Sequence, residues 1–377
     1  MNYGEEALKK HRELRGKIGI ALKDELDSRE KLSIYYTPGV AAVSSYAAEH
    51  PDEARDYTWL NNNVAVISDG TAVLGLGNIG PYGALPVMEG KAMLFKHFAN
   101  IDAVPIVLDV HTADEIVAAV KAIAPSFGGI NLEDIAAPLC FEIEERLKRE
   151  LDIPVMHDDQ HGTAIVTLAG LINACKITGR ELKNTRIVVV GAGAAGTAIM
   201  KLLHEYAEPE IIAVDSRGII SAGRADLSAE KKQLLEFTNK NNVEGTLADA
   251  LQGADVFIGV SQPGLLTPDM VRSMSKDAII FAMANPTPEI MPDLAHEAGA
   301  AIIATGRSDF PNQVNNALAF PGIFRGALDN RVKTITDAHK IAAAEVLAGL
   351  IANPAPDEIL PSVLDERLVP AIAKVII

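Results

Sequence analysis

Apolar segments of strand length recur along the first half of the chain, and stretches with helical spacing separate them. This alternation predicts parallel strands joined by helices, in an α/β fold. We also predict a mostly helical, polar stretch over the first thirty residues, a helix after Pro38 and a helix over residues 90–98. The predicted strands are NVAVISDGT (63–71), AVPIVLDV (103–110), GGINLEDI (128–135) and IPVMHDD (153–159).

A second set of apolar strands begins near residue 186 and predicts a doubly wound parallel sheet of the Rossmann type. The helix predicted over residues 162–178 is apolar nearly all round, which favours burial between two domains. We therefore predict a smaller N-terminal α/β catalytic domain over 1–160 and an NAD(P)-binding domain over 161–377, whose C-terminal helices pack back on the first. The strands of the second sheet are RIVVV, EIIAVDS, ADVFIGV, AIIFAMANP and AAIIATG.

Two glycine-rich loops share the spacing GxGxxG, at residues 75–80 and 191–196. The second follows the strand RIVVV and leads straight into a helix, the context of a dinucleotide loop with the pyrophosphate at the helix N-terminus. The alternative is a Rossmann-like domain that binds another nucleotide. The first loop runs into Pro81 and Pro86, which are expected to break an immediate helix, so we interpret it as a structural bend. The predicted cofactor loop comprises Gly191, Ala192, Gly193, Ala194, Ala195 and Gly196.

Asp215 ends the next predicted strand, about 20 residues beyond the loop, where an acid accepts hydrogen bonds from a ribose 2′-hydroxyl. A carboxylate there repels the 2′-phosphate of NADP, which favours NAD. Arg217 and Arg224 lie close in sequence, however, and guanidinium groups pair well with phosphate. NAD is the predicted cofactor, and NADP remains the alternative.

Clustered carboxylates at the ends of two predicted strands indicate a metal site. Glu133 and Asp134 end one strand, and Asp158 and Asp159 end the next. The carboxyl ends of neighbouring parallel strands open on the same crevice, and carboxylates that meet there repel one another unless a cation is present. All-oxygen ligands favour Mg²⁺ or Mn²⁺ over zinc. The alternative is helix capping, by Glu133 and Asp134 in a first helical turn and by Asp158 before the following helix.

Two residues are candidates for proton transfer. Lys91 lies in MEGKAMLF near the start of an apolar helix; if it faced the metal cleft, burial and the cation would depress its pKa and make it a general base. Tyr36, in YYTPGV, carries a phenol that can donate a proton to a carbanion. The alternatives are a solvated lysine and a tyrosine that only packs against a turn.

Amide side chains follow the late strands of the second domain. Asn285 precedes Pro286 in AMANPTPE, and Asn315 and Asn316 lie in PNQVNNALAFPG. Amides at strand ends can hold a carboxylate or a nicotinamide. For Asn285 the alternative is a role in forming the turn before proline.

Composition narrows the class of protein. The 377 residues carry a formal net charge of −16, which argues against a nucleic-acid partner, and their 48% hydrophobic content is that of a globular chain. Cys140 and Cys175 lie in apolar helical surroundings and are predicted to be buried thiols. No secretory signal or membrane span is recognisable in the sequence, so a cytoplasmic location without membrane association is expected.

The motifs, taken together, resemble the malic enzymes, in particular their small bacterial and archaeal type. They are YYTPGV, GLGNIG, MEGKA, LED, HDDQHGTA, VVVGAGAAG, MANPTPE and NQVNN, in this order. The resemblance spans about residues 35–320. It implies oxidative decarboxylation of L-malate to pyruvate and CO₂ with reduction of NAD or NADP, decarboxylation of oxaloacetate, and a homodimer.

The same resemblance assigns roles to the candidate residues. Lys91 is the implied base for the malate hydroxyl, Asp158 orients it, and Tyr36 protonates the enol carbon. Tyr36 and Lys91 could act in trans across the dimer. The implied ligands of Mg²⁺ or Mn²⁺, which stabilises the enolate, are Glu133, Asp134 and Asp159. The implied substrate or nicotinamide contacts are Lys91, Asn285 and Asn316, with Asn315 less secure.

One position departs from the wider family pattern. The larger eukaryotic type has an arginine for the substrate carboxylate where this chain has Ala72. Three other functions stay open at this point: an oxaloacetate decarboxylase with little redox activity, an amino-acid or folate dehydrogenase, and a nucleotide sensor. Reduction of the cofactor in the presence of malate distinguishes malic-enzyme activity from an oxaloacetate decarboxylase.

Overall fold

The computed structural model describes residues 3–377. The N-terminal helices bury no residue within the single chain. The predicted mostly helical first thirty residues are only partly so, because α1 ends before Arg15 and Gly16, which both have positive φ. These helices are α1 (Tyr3–Leu14), α2 (Arg29–Tyr35), α3 (Val40–Glu49) and α4 (Ala54–Tyr57).

The first sheet contains the four strands that the apolar pattern predicts. They pair in parallel in the order β2-β1-β3-β4, so the chain reverses direction across the sheet between β1 and β3. Crevices at such reversals are common ligand sites in open α/β sheets. The strands are β1 (Asn63–Ser68), β2 (Asp102–Val107), β3 (Ile130–Leu132) and β4 (Val155–His157); the intervening helices are α5 (Gly80–Ala99), α6 (Ala113–Ile123) and α7 (Leu139–Glu150).

Helix α5 corrects the prediction for the first glycine loop. The loop is a tight bend, as expected, with the Val73 amide donating to the Gly77 carbonyl at 3.0 Å. The prolines do not break the following helix, however, because α5 begins at Gly80 and includes both of them. Pro81 occupies the first turn, where a missing amide hydrogen costs nothing, and Pro86 is accommodated one turn later.

Helix α8 (Asp158–Thr178) connects the two sheets and buries most of its residues. It starts four residues earlier than predicted, so Asp158 and Asp159 form its first turn. Ile165 belongs to a core cluster that also includes Val64 of the first sheet and Phe281 of the second. This shared core accounts for a helix that is apolar nearly all round.

The second sheet has the predicted doubly wound form, with the order β10-β9-β8-β5-β6-β7. All its pairs are parallel except that of the two-residue strand β7, which sequence reasoning missed. The strands are β5 (Arg186–Val190), β6 (Glu210–Asp215), β7 (Gly218–Ile219), β8 (Val256–Gly259), β9 (Ile279–Ala282) and β10 (Ile302–Thr305). The helices are α9 (Ala194–Ala207), α10 (Ala229–Leu234), α11 (Leu247–Leu251), α12 (Pro268–Ser273) and α13 (Pro292–Glu297).

The C-terminal helices return toward the first sheet. They are α14 (Phe320–Asp329), α15 (Asp337–Gly349) and α16 (Leu368–Ala373). Phe95 of α5 meets Phe320 and Phe324 of α14 edge to face, with ring centroids 4.6 and 5.4 Å apart. Across the described residues, no helix combines the length and apolar character that a bilayer crossing requires.

Both cysteines are buried free thiols, as predicted. Burial raises the pKa of Cys140 to about 12 and that of Cys175 to about 11. The thiols are therefore protonated and inert near neutral pH.

Candidate active site

Two pairs of acidic residues lie directly after neighbouring strands, at the same edge of the first sheet. Glu133 and Asp134 follow β3, and Asp158 and Asp159 follow β4. The two strands pair in parallel with their last residues opposite each other, so the acids emerge side by side. This juxtaposition is the one expected from the strand pattern.

Glu133, Asp134 and Asp159 form a carboxylate cluster in which one oxygen of each residue lies within 4.8 Å of the others. Asp134 has left-handed backbone (φ 55°), which turns the chain so that two adjacent side chains face one point. The Asp134 amide donates to Asp159 Oδ2 at 2.8 Å. Asp134 Oδ2 is buried without a hydrogen-bond partner. Three carboxylates with an unsatisfied buried oxygen fit a hard divalent cation.

The capping alternative does not describe these acids. Helix α7 begins at Leu139, so Glu133 and Asp134 lie outside its first turn. His157 is the N-cap residue of α8, and no side chain caps that helix. The Asp158 side chain instead bonds to Lys91.

Burial and mutual repulsion make the cluster hard to ionise. Burial, followed by repulsion from Asp159 and Glu133, raises the pKa of Asp134 to about 8. Burial also raises the pKa of Asp159 and of Asp158 to about 6, although Lys91 opposes the shift in both. A bound cation would reverse this balance, because it favours the charged form of each ligand.

Lys91 projects from α5 into the same cleft and is only 7% exposed. Its Nζ donates to Glu133 Oε1 at 3.0 Å and to Asp158 Oδ2, and it lies 3.8 Å from the centroid of the Phe320 ring. Burial disfavours the ammonium, but in the metal-free protein Asp158 and Glu133 outweigh it and raise the pKa of Lys91, whereas the expected depression depends on a cation as well as on burial. Lys91 is thus a buried, charged group aimed at the carboxylates, not a solvated one.

Gly162 makes room for the Asp158 carboxylate. A Cβ at position 162 would lie 2.0 Å from Asp158 Oδ1 and 2.9 Å from the Asn316 Cβ. The glycine of HDDQHGTA is therefore required by the site. The same contact brings Asn316 beside Asp158.

We expect Gly162→Ala to displace Asp158 from Lys91 and lower kcat/KM on the order of 100-fold, since such misplacement costs that much in other enzymes. Steady-state kinetics on the folded variant measure this. Gly349→Ala is the matched control, because a Cβ there meets nothing within 4 Å. A folded Gly162→Ala variant with wild-type kcat/KM would contradict the expectation.

Tyr36 is not part of this arrangement within one chain. It follows α2 and is 67% exposed. Across the described residues, Tyr36 makes no side-chain hydrogen bond or ring contact with Lys91 or the acidic residues. Its predicted role in protonating the enol carbon therefore requires a contact that the single chain does not make.

The loop between β5 and α9 has the glycines that a dinucleotide loop needs. A Cβ at Gly196 would lie 1.7 Å from the Gly191 carbonyl oxygen, and Gly191 has a φ of 106°. A Cβ at Gly193 would point into open space, so the fold itself does not require glycine there; in a dinucleotide loop this position lets the pyrophosphate approach the backbone. Ala194 and Ala195 begin α9, and its N-terminus offers free amides to a pyrophosphate.

Asp215, at the end of β6, is surrounded by cations. Arg224 donates to both carboxylate oxygens at 2.7 and 3.1 Å, and Lys231, which sequence reasoning missed, donates at 2.6 Å. Burial alone would raise the pKa of Asp215, but Arg224 and Lys231 lower it to about 2. Arg217 contacts Asp215 through its backbone amide alone, because its guanidinium group pairs with Asp226.

The three amides differ in their surroundings. Asn285 is exposed just beyond β9, and its carbonyl oxygen would lie 2.4 Å from a Cβ at Gly75, so the first glycine loop packs against the loop after β9. Asn315 Oδ1 accepts from the Ala317 amide at 2.8 Å and caps a short 3₁₀ turn. Asn315 is therefore structurally engaged, whereas Asn316 lies at the site through Gly162.

Sequence reasoning missed two residues that support the site. Asn131 Nδ2 donates to Glu133 Oε2 at 2.8 Å. Glu289, fully buried, accepts from the amides of Ser261 and Ala284 at 2.9 and 3.0 Å and so ties the loops after β8 and β9 together. A polar residue inside an apolar strand was the signal for Asn131; for Glu289 the sequence holds no such signal.

Comparison with known proteins places this architecture in a family. The model of the malic enzyme N-terminal domain matches residues 15–115 and 111–148, and that of the malic enzyme NAD-binding domain matches residues 160–375. The chain belongs to the malic enzyme family. It is 55% identical over its full length to a bifunctional malic/malolactic enzyme of Bacillus subtilis, covering 92% of that protein. An NADP-dependent malic enzyme of Rhizobium meliloti is 52% identical over 94% of the chain, which spans 47% of the relative's length.

Solved structures agree with the family assignment. An NAD-dependent malic enzyme of Thermotoga maritima superposes with a TM-score of 0.96 at 50% identity, covering 98% of each chain. The malic enzyme of Pyrococcus horikoshii has a TM-score of 0.92 at 46% identity and covers 98% of this chain and 89% of its own. The chain is therefore an NAD(P)-dependent malic enzyme. Enzymes of this family oxidatively decarboxylate malate.

Proposed function

We propose that this chain converts L-malate to pyruvate and CO₂ in a metal-dependent reaction, with NAD as the preferred acceptor. The observation that carries the proposal is the contact of Lys91 with Glu133 and Asp158 beside the carboxylate cluster. A proton-transfer residue and a divalent-cation site thus share one buried cleft. The glycine loop supplies a cofactor site.

The residues of the cleft have different proposed roles. Glu133, Asp134 and Asp159 would hold Mg²⁺ or Mn²⁺, which supplies a Lewis acid for the substrate oxygens. A cation on these carboxylates would offset the negative charge that keeps Lys91 protonated. The neutral Lys91 amine would then accept the proton of the malate hydroxyl, and Asp158 would hold the amine in place. The same site would also decarboxylate oxaloacetate, since that step needs the cation and not the nicotinamide.

The amides contribute contacts rather than proton transfer. Asn316, beside Asp158, and Asn285, beyond β9 and beside the first glycine loop, bind malate or the nicotinamide amide. Asn315 serves mainly to orient its neighbour, because its side-chain oxygen already caps the turn.

A coupled assay tests the proposal. We expect NADH to form with L-malate and Mn²⁺, with an equal amount of pyruvate, and formation to stop when EDTA removes the cation. Lactate is measured in the same samples, since the B. subtilis relative is named a malic/malolactic enzyme. Folded protein that reduces neither NAD nor NADP would refute the proposal, and oxaloacetate turnover alone would favour a decarboxylase.

The preference for NAD rests on Asp215, which stays ionised and faces the place of a 2′-phosphate. We expect Asp215→Ser to raise the ratio of kcat/KM for NADP to that for NAD by at least ~10-fold, because loss of the carboxylate frees Arg224 and Lys231 to pair with phosphate. The kinetics of both cofactors measure this ratio. An unchanged ratio, with Asp357→Ser as an exposed control, would show that Asp215 does not set the preference.

We also propose a homodimer in which Tyr36 completes the partner's site. Tyr36 is exposed, makes no contact with Lys91, and lies among helices that bury nothing in the single chain. These helices also expose large apolar side chains, a pattern typical of a subunit interface. The exposed apolar residues of this surface include Leu32, Ile34, Tyr35, Tyr46, Tyr57 and Trp59.

Mixed dimers test the role of Tyr36. Tyr36→Phe and Lys91→Ala are each expected to be inactive as homodimers. If Tyr36 acts in trans, a purified heterodimer of the two variants contains one intact site and shows about half the wild-type activity per dimer. Action in cis leaves both sites of the heterodimer defective, so an inactive heterodimer would contradict the proposal.

A further inference from the structure

Glu144, on α7, is a buried carboxylate outside the carboxylate cluster. It is 5% exposed, and its side chain accepts from the backbone amide of His157 at 2.9 Å and faces the His161 ring nitrogen Nε2 at 2.8 Å. Lys148, one turn along α7, forms an ion pair with Glu144 at 2.6 Å. One carboxylate thus contacts both residues that flank the sequence Asp158-Asp159-Gln160.

The junction that Glu144 contacts is a short strand followed by a helix without a side-chain cap. Strand β4 is three residues long, and α8 begins with no side-chain cap. Both ring nitrogens of His157 are buried without hydrogen-bond partners. Among the described residues, the hydrogen bonds and ion pairs of the Glu144 side chain involve His157, His161 and Lys148. Of these, His157 approaches the cluster, with its Nδ1 3.9 Å from Asp159 Oδ2.

We propose that Glu144 is a positioning residue that holds the junction of β4 and α8, so that Asp158 meets Lys91 and Asp159 faces the other two ligands of the cluster. The inference rests on the proposed metal-dependent function, because it concerns the orientation of a metal ligand. Removing a partner of this kind typically weakens metal binding 10- to 100-fold in metalloproteins, roughly the effect expected here. A buried carboxylate is costly to keep, and it is retained where its hydrogen bonds fix a geometry.

Glu144→Gln is the central variant. The amide keeps the shape of the side chain but is neutral, so it loses the ion pair with Lys148, and its NH2 group can bond to His161 Nε2 only when the ring carries its proton on Nδ1. Glu145→Gln is the matched control, because Glu145 is the exposed neighbour on the same helix. Two readouts are used: titration of the protein with Mn²⁺ alone, and hydrogen exchange of the peptide covering residues 155–165.

We expect Glu144→Gln to raise the Kd for Mn²⁺ at least ~10-fold and to speed amide exchange in the 155–165 peptide, with exchange elsewhere unchanged. The lost activity returns in large part at high Mn²⁺, so the defect lies in metal affinity rather than in kcat. Glu145→Gln behaves as wild type. If Glu144→Gln does not fold, His161→Ala removes one partner of the same carboxylate and is expected to show both effects in weaker form.

Wild-type Mn²⁺ affinity and exchange in folded Glu144→Gln would overturn the proposal and leave Glu144 as an ordinary core residue. A uniform increase in exchange across the protein would do so as well, since it would reflect general destabilisation. Failure of the proposed function is distinguishable: wild-type protein would then not oxidise malate with Mn²⁺, while the 155–165 peptide would still respond to Glu144→Gln.

Discussion

Lys91→Ala is expected to lower kcat by roughly 10²- to 10⁴-fold, the usual contribution of a positioned acid–base group. The structure gives the reason: the amine is buried in the cleft and touches both Asp158 and a residue of the carboxylate cluster. The KM for malate changes less than kcat, because the proton is transferred in the reaction rather than on binding. Single-turnover formation of NADH measures the reaction step separately from the binding of malate.

Lys96→Ala is the control for this prediction. Lys96 lies on the same helix, but its side chain is 55% exposed and pairs with Asp102 at the surface. A surface ion pair contributes little, so this variant should retain wild-type kcat. If Lys91→Ala and Lys96→Ala have similar rates, Lys91 is not the base.

Asp134→Asn is expected to raise the thermal stability of the metal-free protein and to lower that of the protein with Mn²⁺ bound. The pKa of Asp134 is raised to about 8, so the folded protein binds this proton more tightly than the unfolded chain does. By linkage, the stability of the metal-free protein decreases as pH rises from about 4 to about 8, and the loss is complete above that range. The neutral amide removes this penalty, so the variant should melt roughly 2–5 °C above metal-free wild type at pH 8.

With Mn²⁺ present the order reverses, because the amide is a neutral and weaker ligand. We expect the Kd for Mn²⁺ to rise at least ~10-fold and the rate at low Mn²⁺ to fall in proportion. Thermal melts at several pH values, with and without Mn²⁺, measure both effects. Asp357→Asn, at an exposed position, should change neither; a metal-free Asp134→Asn protein less stable than wild type at pH 8 would contradict the account.

Local chemistry explains why much of the site was predictable. The loop Gly191–Gly196 follows an apolar strand and precedes a helix, so its role follows from short-range rules of backbone geometry. The acids were predicted to converge because parallel strands open at one edge, and β3 and β4 do pair in that way. The wrong expectations also have local causes. Proline was read as a helix breaker, although Pro81 lies in the first turn, where it is tolerated.

The sign of the Lys91 pKa shift could not be predicted from the chain. Burial lowers that pKa and nearby carboxylates raise it, so the sign depends on distances between residues that are far apart in sequence. The contacts of Glu144 with His157 and His161, and that of Lys231 with Asp215, likewise join residues from different elements of the fold. The absence of contact between Tyr36 and Lys91 is likewise a fact of the folded chain.

The linear chain alone indicated the α/β class, the dinucleotide loop and the acidic ligand set, because each depends on spacing or periodicity within short segments. The resemblance to malic enzymes rested on the motifs that the chain carries in the family's order. Only the folded chain decided that Lys91 also contacts Glu133, why position 162 must be glycine, and which cations surround Asp215. The contacts of Lys91 and Gly162 depend on the packing of α5 and α8. Those of Asp215 depend on the approach of Arg224 and of α10 to the end of β6, and such packing depends on the whole chain. The chemistry of the site was thus visible in short motifs, but its electrostatics came from tertiary structure.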